Sequence, residues 1–311
     1  MTWITLNWHR VTLQFKPTMM QIITTIDAFR AARRAFGTLG LVPTMGFLHE
    51  GHLSLVRQAR RECGAVAVSI FVNPAQFGPN EDLSRYPRDL ERDLRLLEAA
   101  GTALVFVPAV EEIYPPGFST YVTVEGVTAP LEGALRPDHF RSVATVVCKL
   151  LNIVQADKAY FGQKDAQQAV VIRQMASDLA MPTAIVIAPT VREPDGLAMS
   201  SRNVYLTPAQ RHAASVLARG LNAASAAYTA GERDADTLRQ IAQAVLATEP
   251  LGTVDYVSAA DPLTLQELTH VGESGALISL AVRFGATRLI DNLLLGEPLA
   301  QEPGARSQEP E

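Results

Sequence analysis

The most informative stretch of this 311-residue chain is Leu41-Val-Pro-Thr-Met-Gly-Phe-Leu-His-Glu-Gly-His-Leu-Ser-Leu-Val-Arg57. Its apolar start predicts a short buried strand, and the rest predicts a glycine-containing turn followed by the first turn of a helix. On a helix, the three-residue spacing of His49 and His52 places both rings on one face. The free N–H groups of a helix N-terminus favour an anion there. Taken alone, the stretch is equally consistent with a capped helix start and with a phosphate site.

The composition indicates a protein with a large core and no general affinity for nucleic acid. The chain is 48% hydrophobic and 19% charged, with a formal net charge of −5. Its length is enough for one large domain and a smaller second one. The negative charge argues against a nucleic-acid binder, and no apolar run is long enough to predict a membrane span. Two cysteines, Cys63 and Cys148, are too few for a disulfide framework, which favours a reducing cytoplasm.

Apolar segments alternate with amphipathic ones between residues 26 and 188. Strands are predicted over residues 39–44, 65–72, 103–107, 158–161 and 184–188. Helices are predicted over residues 26–35, 52–62, 88–100, 140–154 and 166–179. This alternation is typical of a mostly parallel sheet with helices on both faces. The expected fold is α/β, with a Rossmann-like doubly wound parallel sheet at residues 20–190.

A smaller α+β domain is predicted at residues 191–296. Its helices are expected over 208–229, with Thr207 as the N-cap, and over 236–248; its strands are expected over 254–259, 276–284 and 287–292. Residues 121–124 alternate like a strand and suggest a small side hairpin. Residues 1–19 are expected to be an extension or a mis-assigned start. The Pro-, Gly-, Gln- and Glu-rich residues 297–311 are expected to be a disordered tail.

Polar loops follow four of the predicted strands, at residues 43–52, 73–78, 162–165 and 189–202. In parallel sheets, ligands bind at the carboxyl ends of the strands. Asn73 and Gln76 carry amides that donate and accept hydrogen bonds, as a small substrate with hydroxyls and a carboxylate requires. For Asn73 alone, ordinary turn chemistry is the simpler interpretation.

Two further loops carry the side chains expected at a phosphate site. Gly162 allows close backbone approach, Lys164 supplies a point charge, and Asp165 can cap the next helix or contact a ribose or metal. A surface lysine beside a capping aspartate is an equally good interpretation. Gln168, one turn further on, is expected to face the same side. The string Met199-Ser-Ser-Arg202 offers hydroxyls and a guanidinium, which suit a pyrophosphate leaving group.

Several sequence motifs together resemble those of a known family. His49-Glu-Gly-His52 and Met199-Ser-Ser-Arg202 are similar to the paired motifs of the HxGH nucleotidyltransferase superfamily. A closer resemblance, to the pantoate–β-alanine ligase family, extends from about residue 20 to residue 295. It is carried by Pro43-Thr-Met-Gly46, Phe71-Val-Asn-Pro74 with Gln76-Phe77, Phe161-Gly-Gln-Lys-Asp165 and Asp195-Gly-Leu-Ala-Met-Ser-Ser-Arg-Asn203. Phe47, Ala75 and the leader are departures from the family pattern.

The resemblance implies an ATP-dependent condensation of (R)-pantoate with β-alanine to pantothenate, through a pantoyl adenylate, with release of AMP and pyrophosphate. It also implies Mg²⁺, a homodimer and a cytoplasmic location. The catalytic residues it implies are His49, His52, Lys164, Ser200, Ser201 and Arg202. The implied ATP contacts are Met45, Gly46, His49, Gly51, His52, Gly162, Gln163, Lys164, Asp165, Val191, Met199, Ser200, Ser201 and Arg202. Those for pantoate are Met45, Asn73, Gln76 and Gln168, with Gln76 also near β-alanine; the metal ligands stay unassigned.

The residue types also suggest a mechanism. The attacking pantoate carboxylate is ionised at neutral pH, so the first step needs alignment and charge neutralisation more than a base. The second step needs a neutral amine, and His52 is the candidate proton carrier because imidazole titrates near neutral pH. A metal role for the two histidines is disfavoured because no third ligand accompanies them. The alternatives are a nucleotide adenylyltransferase and a non-catalytic nucleotide-binding protein.

Overall fold

A computed structural model describes residues 19–79 and 81–296. The expectations for the N-terminal extension, apart from residue 19, and for the tail at 297–311 lie outside the described residues. Within the described part of the chain, no helix is long and apolar enough to cross a membrane.

Six parallel strands form the larger sheet. They are β1 (Gln21–Ile23), β2 (Leu39–Thr44), β3 (Ala65–Ile70), β4 (Leu104–Phe106), β5 (Lys158–Gly162) and β6 (Ala184–Ala188), in the order β1-β4-β3-β2-β5-β6. The strands are almost continuously apolar because both faces of the sheet are covered, as in parallel sheets generally. The predicted α/β fold with a Rossmann-like sheet is confirmed.

Helices pack on both faces of this sheet. They are α1 (Ile26–Arg33), α2 (Glu50–Cys63), α3 (Leu90–Ala100), α4 (Val110–Ile113), α5 (Glu132–Leu135), α6 (His139–Val154) and α7 (Ala166–Asp178). Successive residues of β2 point to opposite faces of the sheet. Leu41 packs in the cluster that contains Val147 of α6, and Val42 packs in the cluster that contains Val56 of α2. The single-turn helices α4 and α5 were not predicted, because four residues are too few to show a helical period.

The chain order reverses between β2 and β5. From β2 the chain moves to β3 on one side, and it later returns to β5 on the other side. In a doubly wound sheet, such a reversal leaves a crevice beyond the carboxyl ends of the two strands. The loops after β2 and after β5 therefore face each other, although more than a hundred residues separate them in sequence.

The remaining elements form the smaller α+β unit. Its helices are α8 (Pro208–Ala213), α9 (Val216–Thr229) and α10 (Ala235–Leu246), and its antiparallel sheet consists of β7 (Gly252–Ala260), β8 (Ala276–Phe284) and β9 (Thr287–Leu295). These elements enclose a core of their own that includes Leu217, Leu238 and Leu280. The expected domain boundary at residues 190 and 191 falls in the loop after β6, and it stays a prediction.

Two details of the predicted secondary structure are wrong. The single helix at 208–229 is broken between α8 and α9, where Ser215 Oγ donates to the His212 carbonyl at 2.9 Å. Serine side chains commonly compete with the helical ladder in this way. Residues 121–124 form no strand: the Val122 N–H donates to Thr145 Oγ1 of α6 at 2.9 Å. Their alternation reflects packing on α6, since Val124 is buried and Tyr121 exposed.

A buried carboxylate holds the turn after β2. The backbone is left-handed at Gly46 (φ 79°) and Phe47 (φ 50°), a conformation that disfavours side chains such as that of Phe47. Asp93 of α3 is 1% exposed and accepts the N–H groups of Phe47 at 2.6 Å and Leu48 at 2.7 Å. The two bonds offset the strain at Phe47, and they set the direction in which the chain enters α2.

Replacing Asp93 by Asn tests this support. The amide keeps the volume but turns an N–H₂ group towards one of the two backbone N–H donors, so we expect a loss of about 1–3 kcal/mol in the free energy of unfolding. Urea titration measures it. The control, Glu91→Gln, changes an exposed carboxylate of the same helix that pairs only with Arg95, and it should cost less than about 0.5 kcal/mol. Equal stability of the two variants would contradict the role of Asp93.

Candidate active site

A cavity of about 790 Å³ lies at the crevice between β2 and β5. Its walls come from the loops after β2, β3, β5 and β6, with further contributions from α6, β8 and β9. Every residue proposed from the sequence lines it except Gly46 and Gln163. Those that do are Met45, His49, Gly51, His52, Asn73, Gln76, Gly162, Lys164, Asp165, Gln168, Val191, Met199, Ser200, Ser201 and Arg202.

His49 and His52 together cap the start of α2. His49 is the N-cap, and its Nδ1 accepts the Gly51 N–H at 3.2 Å, while His52 Nδ1 accepts the His49 N–H at 3.3 Å. The ring centroids are 4.1 Å apart. A Cβ at Gly51 would lie 2.9 Å from the His49 ring, so only glycine allows the ring to fold back over the turn. The reciprocal caps and the glycine account for the His-x-Gly-His spacing in physical terms.

The caps also decide the protonation of both rings. Each Nδ1 accepts a backbone N–H and therefore carries no proton, which leaves Nε2 of each neutral ring as an N–H donor. Burial, and next the positive charge of Lys164, lowers the pKa of His49 to about 4. Burial, then His49 and Lys164, holds the pKa of His52 well below its ordinary value. Both imidazoles are thus neutral hydrogen-bond donors at pH 7.

This arrangement argues against the expectation that His52 carries the proton of the amine. The expectation required a ring that titrates near neutral pH with a nitrogen free to accept. In the structure the pKa of His52 is lowered by burial, and its accepting nitrogen is occupied by the His49 N–H. The geometry instead suits donation from Nε2 to an anionic oxygen.

The loop after β5 forms a short 3-10 turn at Gln163–Asp165 that leads into α7. Lys164 is largely buried, and its Nζ lies 3.4 Å from Asp165 Oδ1. Asp165 stands at the N-cap position of α7 but makes no capping hydrogen bond with its side chain. Gln163 does not line the cavity, and its Nε2 donates to Asn292 Oδ1 of β9. The lysine and the start of α7 therefore give this wall a positive character.

The loop after β6 brings its hydroxyls and guanidinium to the same cavity. Ser200 Oγ accepts the Arg202 N–H at 3.2 Å, and Ser201 Oγ donates to the Phe47 carbonyl at 3.2 Å, which links this loop to the turn after β2. The Arg202 guanidinium forms two 3.0 Å bonds to the Asp82 carboxylate. In this structure Arg202 is therefore paired, and an incoming phosphate would have to compete with Asp82 for it.

Amides line another part of the cavity. Gln76 donates from Nε2 towards Met45 Sδ at 3.0 Å, a weak contact, and its Oε1 accepts from Asn73 Nδ2 at 3.2 Å. Asn73 is buried, and its Oδ1 accepts from the Tyr114 hydroxyl at 2.9 Å and from the Ala75 N–H at 3.3 Å. These bonds favour the turn interpretation for Asn73. Gln168 is half-buried at the cavity wall.

Sequence reasoning missed a polar cluster beside Gln76. Arg136 donates to both oxygens of Glu81 at 2.6 Å, and His139 Nδ1 lies 3.0 Å from the Gln76 carbonyl oxygen. Burial, and then Arg136, lowers the pKa of His139 to about 4. The available signal was an arginine and a histidine three residues apart just before the predicted helix at 140–154. Asp82, the partner of Arg202, was missed because it lies in a loop without periodicity.

Comparison with known proteins identifies the family. The family model described as pantoate-beta-alanine ligase matches residues 20–294. The chain is 67% identical over 276 residues to a pantothenate synthetase of Chloroflexus aurantiacus, covering 89% of this chain and 98% of that protein. It is also 67% identical over 276 residues to a pantothenate synthetase of Herpetosiphon aurantiacus, covering 89% of this chain and 100% of that protein.

Solved structures agree with this result. A crystal structure of pantothenate synthetase from Thermus thermophilus matches with a TM-score of 0.86 and 49% identity, over 89% of this chain and 100% of that one. A pantoate-beta-alanine ligase from Francisella tularensis, complexed with beta-gamma ATP and beta-alanine, matches with a TM-score of 0.72 and 34% identity, over 88% and 97% of the two chains. The chain therefore belongs to the pantoate–β-alanine ligase family.

Proposed function

We propose that this cavity joins pantoate to β-alanine at the expense of ATP, by way of a pantoyl adenylate, and releases pantothenate, AMP and pyrophosphate. The family supports the ligation of pantoate and β-alanine to pantothenate, and the Francisella tularensis relative was crystallised with ATP and β-alanine ligands. The observation that carries the proposal is that two kinds of side chain line one cavity. We call the cationic and N–H donor groups its donor part and the neutral amides its amide part.

The donor part suits the phosphates of ATP. His49 and His52 each present an Nε2–H, Lys164 supplies a positive charge, and Arg202 supplies a planar guanidinium. Such groups stabilise charge that builds on phosphoryl oxygens, and they act most strongly where water is excluded. We assign this part to the triphosphate, with Gly162 and Val191 beside the nucleoside.

The amide part suits pantoate. Gln76 and Gln168 can hold hydroxyl and carboxylate groups through neutral hydrogen bonds. A cationic clamp on the carboxylate would lower its nucleophilicity, whereas amides orient it without that cost. The pantoate carboxylate is already ionised at neutral pH, so it attacks the α-phosphorus without a general base, and pyrophosphate leaves. The amine of β-alanine then attacks the mixed anhydride, and AMP leaves.

Mg²⁺ fits this site as a partner of ATP. Among residues 19–79 and 81–296, no group of three or more His, Cys, Asp and Glu side chains is placed to hold a metal. Most carboxylates of the lining are paired with an arginine: Glu81, Asp82, Glu132 and Asp291. Within the described part of the chain, Asp165 pairs with Lys164 alone, at 3.4 Å. Since Mg²⁺ commonly binds one or two carboxylates together with substrate phosphates, Asp165 is our candidate ligand. When bound, the ion neutralises phosphate charge.

A homodimer and a cytoplasmic location complete the proposal. Both are supported by the resemblance to the family. The location is also supported by the free thiols of Cys63 and Cys148.

One assay tests the reaction as a whole. Purified protein, ATP, Mg²⁺, pantoate and β-alanine should yield pantothenate and AMP, and omission of either acid should abolish the product. Exchange of labelled pyrophosphate into ATP should require pantoate and no amine. Exchange supported by a nucleotide monophosphate in place of pantoate would indicate a nucleotide adenylyltransferase. The absence of any turnover would indicate a nucleotide-binding protein without this activity.

Lys164→Ala tests the phosphate part. Loss of a charged donor should raise the KM for ATP and slow adenylate formation by about 10²- to 10³-fold, as measured by pyrophosphate exchange. Lys158→Ala is the matched control. Lys158 is the first residue of β5, the strand that precedes the Lys164 turn, and it pairs with Glu62 away from the crevice. Wild-type kinetics in Lys164→Ala would contradict a role in ATP binding and favour the alternative that Lys164 is a surface residue beside a capping aspartate.

His52→Ala tests the assignment of the histidines. We expect adenylate formation to fall by about 10²- to 10³-fold through the lost Nε2 donor. The decisive measurement compares pantoyl-adenylate formation in a single turnover with the later attack of β-alanine. A thermal melt checks the lost capping bond to the His49 N–H. Adenylate formation at the wild-type rate with only the amine step impaired would overturn the assignment and restore the proton-carrier role.

A further inference from the structure

Two neighbouring residues of β9, Asp291 and Asn292, tie the smaller sheet to two loops of the cavity. Both are almost fully buried, with 1% and 5% exposure. Neither belongs to the motifs that carry the family resemblance. Together they contact the loop after β5 and the loop after β6, which are the loops that present Lys164 and Arg202.

Asn292 binds the main chain of the Lys164 turn. Its Nδ2 donates to the carbonyl of Gln163 at 3.0 Å and to the carbonyl of Lys164 at 2.8 Å. Its Oδ1 accepts from Gln163 Nε2 at 3.1 Å. Both N–H groups of the amide are thus used within the protein, so Asn292 has no donor left for a substrate. Although it lines the cavity, its hydrogen bonds are directed at the backbone that carries Lys164.

Asp291 holds the second loop. Its carboxylate binds the Arg192 guanidinium at 2.6 and 3.0 Å, and Arg192 also donates to the Gly196 carbonyl at 3.0 Å. Arg192 and Ala198 form an antiparallel bridge, so this ion pair fixes a narrow loop that leads directly into Ser200. Removing the charge of Asp291 or of Arg192 would leave the other group without its ionic partner at a site with little access to water. Asn292 is neutral and is therefore the better residue to change without unfolding the protein.

The Lys164 side chain has little support of its own. Its Nζ has one ionic contact, to Asp165 at 3.4 Å. The turn that carries it lies between β5 and α7, and Asp165 adds no side-chain cap there. The position of the ammonium thus depends on where the main chain of the turn lies. Asn292 holds that main chain through two of its carbonyl groups.

We propose that Asn292 is a positioning residue for adenylate formation, which acts through the backbone of Gln163 and Lys164 to place the Lys164 ammonium against the phosphates. The inference rests on the proposed function, because it requires the role assigned there to Lys164. A displacement of about 1 Å in a catalytic group is enough to slow a reaction by about 10²-fold. The smaller sheet thereby contributes to the phosphate site without touching ATP through this residue.

Asn292→Asp and Asn292→Ala test the inference. The aspartate keeps the volume but turns a carboxylate oxygen towards two carbonyls, and the alanine removes the donors. We expect both to raise the KM for ATP and to slow pyrophosphate exchange by up to about 10²-fold, while the KM for pantoate changes less than about twofold. Asn222→Asp makes the same chemical change at an exposed position of α9 and should behave like wild type.

A double variant separates positioning from a general structural effect. If Asn292 acts through Lys164, then Lys164→Ala combined with Asn292→Ala should be no slower than Lys164→Ala alone. Additive losses, equal increases in both KM values, or wild-type kinetics in the Asn292→Asp variant would overturn the inference. Impaired Lys164→Ala with unimpaired Asn292 variants would remove only the positioning role. An unimpaired Lys164→Ala would contradict the proposed function of Lys164 and the inference together.

Discussion

The parallel pairing of β2 with β5 is the constraint on which the rest of the site depends. The ladder between them covers only two residue pairs, Gly40 with Lys158 and Leu41 with Ala159. It ends before the carboxyl ends of the strands. Asp157 reinforces it at the other end, where its Oδ2 accepts the Leu39 N–H at 2.8 Å. Because the chain leaves these strands in opposite directions, the loops that follow them face one crevice.

Buried hydrogen bonds to the main chain give the loops of this crevice their shapes. Asp93 holds the left-handed turn after β2, the two histidines cap α2, and Asn292 holds the turn after β5. Asp93 and Asn292 each bind the backbone of a different element, whereas the two histidines bind the backbone at the start of their own helix. Buried groups of this kind contribute more to a single defined geometry than to net stability. A site for phosphoryl transfer requires such geometry, because its catalysis consists of alignment and charge stabilisation.

Ion pairs compensate several of the arginines that line the cavity. Arg202 binds Asp82, Arg136 binds Glu81, and Arg288 of β9 binds Glu132 of α5. If a phosphate replaces the Asp82 carboxylate at Arg202, the guanidinium stays paired. The net gain in binding free energy is then the difference between the Arg202–phosphate and Arg202–carboxylate interactions. Within residues 19–79 and 81–296, no arginine competes for the two neutral histidines, and Lys164 has a 3.4 Å contact with Asp165, so these groups are available to an anion.

Much of the fold followed from local pattern. The continuous apolar runs of β2 and β6 and the capping residue Thr207 predicted these features correctly, because burial of a strand on both faces and helix capping both leave a local sequence pattern. The order of the loops along the strands also predicted that the candidate residues share one cavity. The break at Ser215 and the path of residues 121–124 were missed, since each depends on a hydrogen bond that a periodic pattern does not report.

The sequence by itself determined the residue types of the site and their attachment to strand ends, because side-chain chemistry and hydrophobic period are written in the chain. Only the tertiary structure decided which partners these side chains have and how their pKa values are shifted. The partner of Arg202 and the lowered pKa of His49 depend on groups brought together from distant segments, whereas the capping bonds that set the tautomer of the two histidines are local. Asn292 acquires its role in the same way, by lying next to a turn that is more than a hundred residues away in sequence. Such juxtapositions arise from packing, and local pattern does not encode them.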